Sequence, residues 1–324
     1  MILQRKNIIF PILKKIFLIL FVMCGTVLLI QRNYVSASSL YQAKFNNNLL
    51  DESINYLRTK GYEMTDTQIG KGDYGVVFLG NNHERKLCIK IIPAELYSTY
   101  ESDIFKNNLI KQCPNITQLI EETNIKNNNI KGVALVTEYN SGGTLLDYVT
   151  KLNRNFNKSE IIRFTYDMSN AIKALHGAGY IHRDIHLKNI MIDKGIYKLI
   201  DFGTVIPSNA KNKDALGAWV CRAPEYILYS AKKTTDYNEK VDIWALGVVV
   251  YYLAYGNIPY KCFSISGNLL SCEEIVANQR HFCECAIPNN DQLNRIVLRC
   301  LEFKPSYRIS ADGLFEFVRL LRDK

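Results

Sequence analysis

Residues 180–203, Tyr-Ile-His-Arg-Asp-Ile-His-Leu-Lys-Asn-Ile-Met-Ile-Asp-Lys-Gly-Ile-Tyr-Lys-Leu-Ile-Asp-Phe-Gly, constrain this chain more than any other stretch. A polar run, 182–189, precedes two short apolar segments, 190–192 and 196–200, joined by a turn at Asp193, Lys194 and Gly195 and followed by Asp201-Phe202-Gly203. A hairpin of that length brings its two flanks together, so the spacing predicts that Asp184, Asn189 and Asp201 meet at one site. Two carboxylates and an amide suit a hard divalent cation such as Mg²⁺, which takes oxygen ligands and leaves positions for phosphate oxygens. Asp184 can at the same time orient a hydroxyl and accept its proton. An isolated aspartate in a turn is commonly a cap, and Asp-Phe-Gly alone arises by chance; the two features at this spacing favour a site.

Upstream, Ile69-Gly70-Lys71-Gly72-Asp73-Tyr74-Gly75-Val76-Val77-Phe78 carries three glycines in the Gly-x-Gly-x-x-Gly arrangement. In a dinucleotide fold such glycines open a helix. Here β-forming Val76, Val77 and Phe78 follow, so the pattern predicts a strand–turn–strand whose bare backbone can lie over phosphates and offer N–H groups. After a turn at Asn81 and Asn82, Lys90 alternates with apolar residues in Leu87-Cys88-Ile89-Lys90-Ile91-Ile92, a cation on a buried strand that needs an anionic partner. Glu101, with Ile104 and Phe105 three and four positions on, is the expected partner; Asp103 competes, but Lys106 and Asn107 stand at its corresponding positions. Ala134-Leu135-Val136-Thr137-Glu138-Tyr139 reads as a strand entering the turn Asn140-Ser141-Gly142-Gly143. Leu50, Ile54 and Leu57 share one helical face before the domain starts near Tyr62.

Ile161, Ile162, Phe164, Met168, Ala171, Ile172 and Leu175 recur at helical spacing and lead into the 180–203 stretch. Further on come Gly217-Ala218-Trp219-Val220-Cys221-Arg222-Ala223-Pro224-Glu225, then Asp242-Ile243-Trp244-Ala245-Leu246-Gly247, and finally Lys304-Pro305-Ser306-Tyr307-Arg308. In this order, over about residues 62–322, these motifs resemble those of eukaryotic-type protein kinases. The resemblance implies a bilobal α+β fold, with a β-rich lobe at 62–139, a helical lobe at 140–324, and ATP between them. It implies that ATP is held by Gly70, Lys71, Gly72, Asp73, Tyr74, Gly75, Val77, Cys88, Lys90 and Met191 and by the backbone of Glu138, Tyr139 and Asn140. Asn189 and Asp201 would hold Mg²⁺ or Mn²⁺, Asp184 would act as base, and Glu101 and the Glu225–Arg308 pair would serve as structural ion pairs. Protein serine or threonine hydroxyls are the implied acceptors.

Two positions depart from the serine/threonine pattern. His186 stands where lysine is usual, and Ala218 stands where a threonine would contact that lysine and the catalytic aspartate. His186 is expected to replace that lysine in catalysis as a cation on the transferring phosphoryl group, only partly charged near neutrality because histidine titrates there; the alternative is that Lys188 reaches the phosphate and His186 only packs. The alternatives are a pseudokinase acting as a binding module and a small-molecule kinase of the aminoglycoside type, which shares the Asp-Ile-His-x-x-Asn string but lacks the Ala-Pro-Glu segment.

Charge is informative mainly at the N-terminus. Residues 1–37 hold five of the 40 basic residues and no acid; the other 35 basic residues face 31 acidic ones, a formal +4 with no polyanion footprint and hence no nucleic-acid partner. Arg5, Lys6, Lys14 and Lys15 precede an uncharged apolar run, 16–30, with Val35 and Ala37 beyond it. The run is short of the roughly 20 residues of a membrane span and fits a signal-peptide core. A signal cut after Ala37 is expected, with an uncleaved anchor as the alternative; either places the domain outside the cytoplasm, with membrane contact only through this segment. Residues 38–61 then read as a linker and short helix. Cys262, Cys272, Cys283 and Cys285 lie in what reads as an insertion, where export would make disulfides plausible, with buried thiols or, less well, zinc as alternatives.

Overall fold

The computed structural model describes residues 47–323 apart from 73–74, 84, 98, 128–129, 153, 212–215, 235 and 286–290. The expected leader therefore lies outside the described residues, as do Asp73 and Tyr74 of the glycine loop. No helix among the described residues is long and apolar enough to cross a membrane.

The first lobe is an antiparallel sheet of five strands: β1 (Glu63–Gly72), β2 (Gly75–Asn82), β3 (Arg85–Pro93), β4 (Leu119–Asn127) and β5 (Ile130–Glu138), in the order β1-β2-β3-β5-β4. Successive side chains of a strand point to opposite faces. Leu87, Ile89 and Ile91 of β3 are therefore buried on one face, while Cys88 and Lys90 point to the other. Helix α1 (Asn47–Thr59) covers the first face, with Leu57 fully buried and Leu50, Ile54 and Tyr56 packed around it. The expected short helix is therefore present, and its apolar stripe is part of the lobe's own core, because the sheet face beneath it would otherwise be exposed. Helices α2 (Thr99–Lys106) and α3 (Asn108–Lys111) lie between β3 and β4 in the chain.

The second lobe is built on helices. Helices α4 (Leu145–Lys151) and α5 (Lys158–Gly177) each begin with a capping box, Thr144 with Asp147 and Asn157 with Glu160. The predicted apolar face of α5 is buried from Ile161 to Leu175. Beyond it, β6 (Tyr180–Ile181) pairs with β9 (Ile206–Pro207), enclosing the hairpin β7 (Ile190–Asp193) and β8 (Ile196–Leu199). Then follow α6 (Pro224–Ser230), α7 (Lys240–Tyr255), α8 (Cys272–Glu284), α9 (Gln292–Cys300) and α10 (Ala311–Arg322). Helix α7 is apolar around its whole circumference, and it is buried from Val241 to Val250 accordingly.

The stretch expected to be an insertion is integral to this lobe. Ser271 and Glu274 cap α8, and Ile275 and Gln279 bury its inner face. No disulfide joins Cys262, Cys272, Cys283 and Cys285. Cys272 and Cys283 stand at opposite ends of α8, about 16 Å apart at ~1.5 Å per residue, beyond disulfide reach. The Cys283 thiol instead donates to the Leu301 carbonyl at 3.0 Å, and burial pushes its pKa up to about 12. Among the described residues no group of three or more His, Cys, Asp or Glu side chains is arranged to hold a metal.

Candidate active site

Lys90 reaches from β3 into the cleft between the lobes. Its Nζ lies 2.9 Å from Glu101 Oε1 on α2 and 2.8 Å from Asp201 Oδ1. Asp103 instead pairs with Lys106 on the outer face of α2, which leaves Glu101 as the inward acid. Burial alone would lower the Lys90 pKa, but the charges of Asp201 and Glu101 outweigh it and hold the ammonium well above its ordinary value. Burial pushes the deeper Glu101 carboxyl up, whereas Lys90 holds the more open Asp201 down against its own desolvation.

The loop that carries Asp184 is fixed from below. Asp242, near the start of α7, accepts the backbone N–H of His182 and of Arg183 at 2.8 Å each, and His176 Nε2 lies 2.8 Å from the same carboxylate. Arg183 and Asp201 adopt positive φ, 72° and 60°, a left-handed backbone that non-glycine residues rarely keep without such anchoring. Phe202 is buried edge-on between Phe105 of α2 and His182, with ring centroids 5.2 and 5.3 Å away. The same aromatic column thus links α2, which carries Glu101, to the loop that carries Asp184.

Asp184 Oδ1 accepts the Ala218 N–H at 2.8 Å and lies 3.3 Å from His186 Nε2. Asn189 Nδ2 donates to Asp184 Oδ2 and to its backbone carbonyl, each at 2.9 Å. Burial would raise the Asp184 pKa, but the His186 ring, by charge and hydrogen bond, and the Ala218 N–H together hold it well below the usual carboxylate range. Gly217 makes this approach possible: its φ is +86°, and a Cβ there would stand 2.3 Å from the Arg183 carbonyl. The segment around it is tied to the lobe by Tyr226, whose hydroxyl bonds both N–H and C=O of Leu216 at 2.8 Å, and by Arg222, which donates to the Gly217 carbonyl at 3.0 Å.

Asn189 commits both amide hydrogens to Asp184, which leaves its Oδ1 to ligate, and Asp201 takes Lys90 and the Gly203 N–H on Oδ1, which leaves Oδ2. An all-oxygen pair with its other positions open is the right chemistry for Mg²⁺ or Mn²⁺ bound together with phosphate oxygens. In the glycine hairpin Gly72 pairs with Gly75, and Val77 pairs with Lys90 in the next strand. Gly70 and exposed Lys71 lie on β1. Cys88, half-buried with its pKa pushed up to about 11 by burial, pairs with Thr137, and Met191 lies on β7 opposite Thr144. At the strand end the Gly142 N–H donates to the Ile192 carbonyl at 2.9 Å, which brings Asn140 and β7 together.

The expected Glu225–Arg308 pair forms, at 2.6 Å. Several supporting contacts had no sequence signal. Lys198 of β8 reaches Glu138 at 2.8 Å, so the Glu138 side chain clasps the lower lobe while its backbone faces the cleft strand. Arg183 donates to the Thr204 carbonyl at 2.6 Å, and buried Gln279 holds the Arg222 carbonyl at 2.9 Å. Their partners are mostly backbone carbonyls that only the tertiary fold brings near, which no spacing rule reveals.

A sheet lobe over a helical lobe, with a cation between two carboxylates and two oxygen ligands at the mouth of the cleft, is the frame of a nucleotide-dependent phosphotransferase. The chain belongs to the protein kinase domain family, which matches residues 64–317. It is similar to an Aurora kinase of Eremothecium gossypii, 29% identical over 264 residues that cover 74% of this chain and 64% of that protein. A CBL-interacting serine/threonine-protein kinase 19 of Arabidopsis thaliana is 28% identical over 272 residues, 79% of this chain and 52% of its own. The dual specificity protein kinase pyk3 of Dictyostelium discoideum is 29% identical over 264 residues, 79% of this chain but 18% of its own. The chain therefore spans less than two thirds of the length of these relatives.

Proposed function

We propose that this chain is an ATP-dependent protein kinase that phosphorylates serine or threonine hydroxyls. The observation that carries the reading is the convergence of Lys90, from β3, with Asp184, Asn189 and Asp201, from the 180–203 stretch, on one cleft. Lys90 would hold the nucleotide's phosphates, Glu101 keeping it in place, with the glycine hairpin above and the backbone of Glu138, Tyr139 and Asn140 beside the adenine. Asn189 and Asp201 would hold Mg²⁺, whose chemistry is to neutralise phosphate charge. The acceptor oxygen forms its bond to the γ-phosphorus as the bond to the ADP oxygen breaks, and the hydroxyl proton passes to Asp184. An aspartate held below the usual range is a weak base, so Asp184 orients the hydroxyl first and takes its proton late.

The serine/threonine assignment is supported by a relative named for that specificity, with a dual-specificity relative beside it. The basic, apolar leader supports an exported or membrane-anchored domain; terminal sequencing from a secretory host would find Ser38 first if the signal is cut. Phosphate transfer from labelled ATP to generic serine/threonine substrates tests the activity. Transfer that Asp184→Asn and Asp201→Asn abolish in folded protein is the expected result. Tight ATP binding with no transfer to any substrate would favour the binding-module reading.

A further inference from the structure

Asp184 is placed from two sides, by the loop that carries it and by the stretch Leu216-Gly217-Ala218, and a path of hydroxyl groups joins the two. Arg183 stands at one end. It is buried, Asp242 accepts its backbone N–H at 2.8 Å, and its Nε donates to the Thr204 carbonyl at 2.6 Å. Its Nη1 donates to the Tyr237 hydroxyl at 3.2 Å. The Tyr237 hydroxyl in turn hydrogen-bonds that of Tyr226, with the ring centroids 4.6 Å apart and both residues buried. Tyr226 gives its one proton to the Leu216 carbonyl and accepts the Leu216 N–H, each at 2.8 Å. The proton between the two tyrosines must therefore come from Tyr237, and the path runs in one direction from guanidinium to backbone. Just beyond it, the Ala218 N–H meets Asp184 Oδ1 at 2.8 Å.

Protein kinases commonly order the segment after Asp-Phe-Gly by phosphorylation, the new phosphate pairing with an arginine. This segment has little to phosphorylate. Between Gly203 and Ala223 the only hydroxyl side chains in the sequence are those of Thr204 and Ser208. Thr204 is buried and donates to the His182 carbonyl at 2.8 Å. Ser208 is exposed just beyond β9, where its backbone N–H donates to the Gly179 carbonyl. Arg183, the arginine beside Asp184, is already engaged with Thr204 and Tyr237.

We propose that Tyr226 and Tyr237 are positioning residues that hold the 216–218 stretch against Asp184 from inside the fold, so that the chain needs no phosphate on this segment to be active. The consequence for turnover rests on the protein kinase reading; the tether does not.

The test has two arms on the full chain. Hydrogen exchange read by mass spectrometry follows the Leu216 and Ala218 amides, whose partners are Tyr226 and Asp184. Tyr226→Phe should speed exchange in peptides spanning 216–218 by about tenfold or more, and Tyr237→Phe by less, with α7 peptides exchanging as in wild type. Unchanged exchange in both variants overturns the tether, and so does equal acceleration in α7, which would reduce the tyrosines to general stability. The second arm measures initial rates on wild type stripped of phosphate by a phosphatase that is then removed, with intact mass confirming the state, and on Ser208→Ala. Both should keep kcat within about threefold of untreated wild type, while Tyr237→Phe should lose about tenfold in kcat with KM for ATP unchanged. A loss of about tenfold on phosphatase treatment or in Ser208→Ala, or full kcat in Tyr237→Phe, overturns the proposal. If wild type itself turns nothing over, the kinase reading fails and the exchange arm alone decides the tether.

Discussion

Arg308 and Lys90 each bind a glutamate from a distant element, yet one pair closes on itself and the other stays open. Arg308 has no exposed side-chain surface. It forms a fork with Glu225 at 2.6 and 3.0 Å and spends its other donors on the carbonyls of Glu302, Lys240 and Phe303, with the Trp244 ring 5.0 Å from the guanidinium. Lys90 is shared between two carboxylates, and the Asp201 side chain is 38% exposed. A ligand can draw on Asp201 without stranding a buried charge, whereas nothing can be taken from Arg308 without doing so. A saturated ion pair makes a joint, and a shared cation at a cleft makes a site.

That contrast can be broken from either side. Arg308→Ala should cost the most stability, about 3–5 kcal/mol in denaturant unfolding, because Glu225 and three carbonyls lose their partner together. A cost near that of a surface mutation would mean the joint is solvated. Lys90→Met should lower phosphate transfer by about 10²–10³ while moving the unfolding midpoint much less than Arg308→Ala does. Glu101 and Asp201, left facing each other, can share a proton. Equal destabilisation by the two variants would erase the distinction between joint and site.

Asp242→Asn should act between these extremes. It keeps the shape but turns one acceptor into a donor facing the His182 N–H and His176, a loss of about 1–3 kcal/mol with a matching fall in kcat from a displaced loop. The smallest effect is acid dependence. Asp184, Asp201 and Asp242 are all held below their ordinary pKa in the fold, so below about pH 4 the unfolded chain binds more protons. Their contribution is complete above that range and is lost as pH falls through the lowered values. Stability curves from pH 2 to 6 should be shallower in Asp242→Asn than in wild type.

Legibility in the sequence followed the same division. Strand β3 and helix α5 were readable because alternation and helical spacing show directly which side chains face inward. The two-lobed α+β fold was likewise readable from the order of the motifs. Glu101 stood apart from Asp103 because only its +3 and +4 neighbours are apolar, and in the structure it is the one that meets Lys90. Helix α8 was not legible: its Cys-Glu-Glu-Ile-Val-Ala-Asn-Gln-Arg-His-Phe-Cys-Glu sequence is half polar, and its inward face buries a glutamine that serves the Arg222 carbonyl. The Lys198–Glu138 clasp was hidden for a similar reason, since two charged residues far apart in sequence give no sign that they meet. Helix α1 showed its apolar stripe but not what covers it, because that depends on a sheet face formed by later strands.

The central claim is that the cleft transfers phosphate, and intact-mass spectrometry of the purified chain incubated with Mg-ATP tests it most directly. The account predicts added phosphate on wild type, on the chain itself or on a supplied protein, and none when Asp184→Asn is treated alike. Phosphate that appears equally in Asp184→Asn, or a wild-type chain that binds ATP yet never transfers it to itself or to any protein supplied, would contradict it.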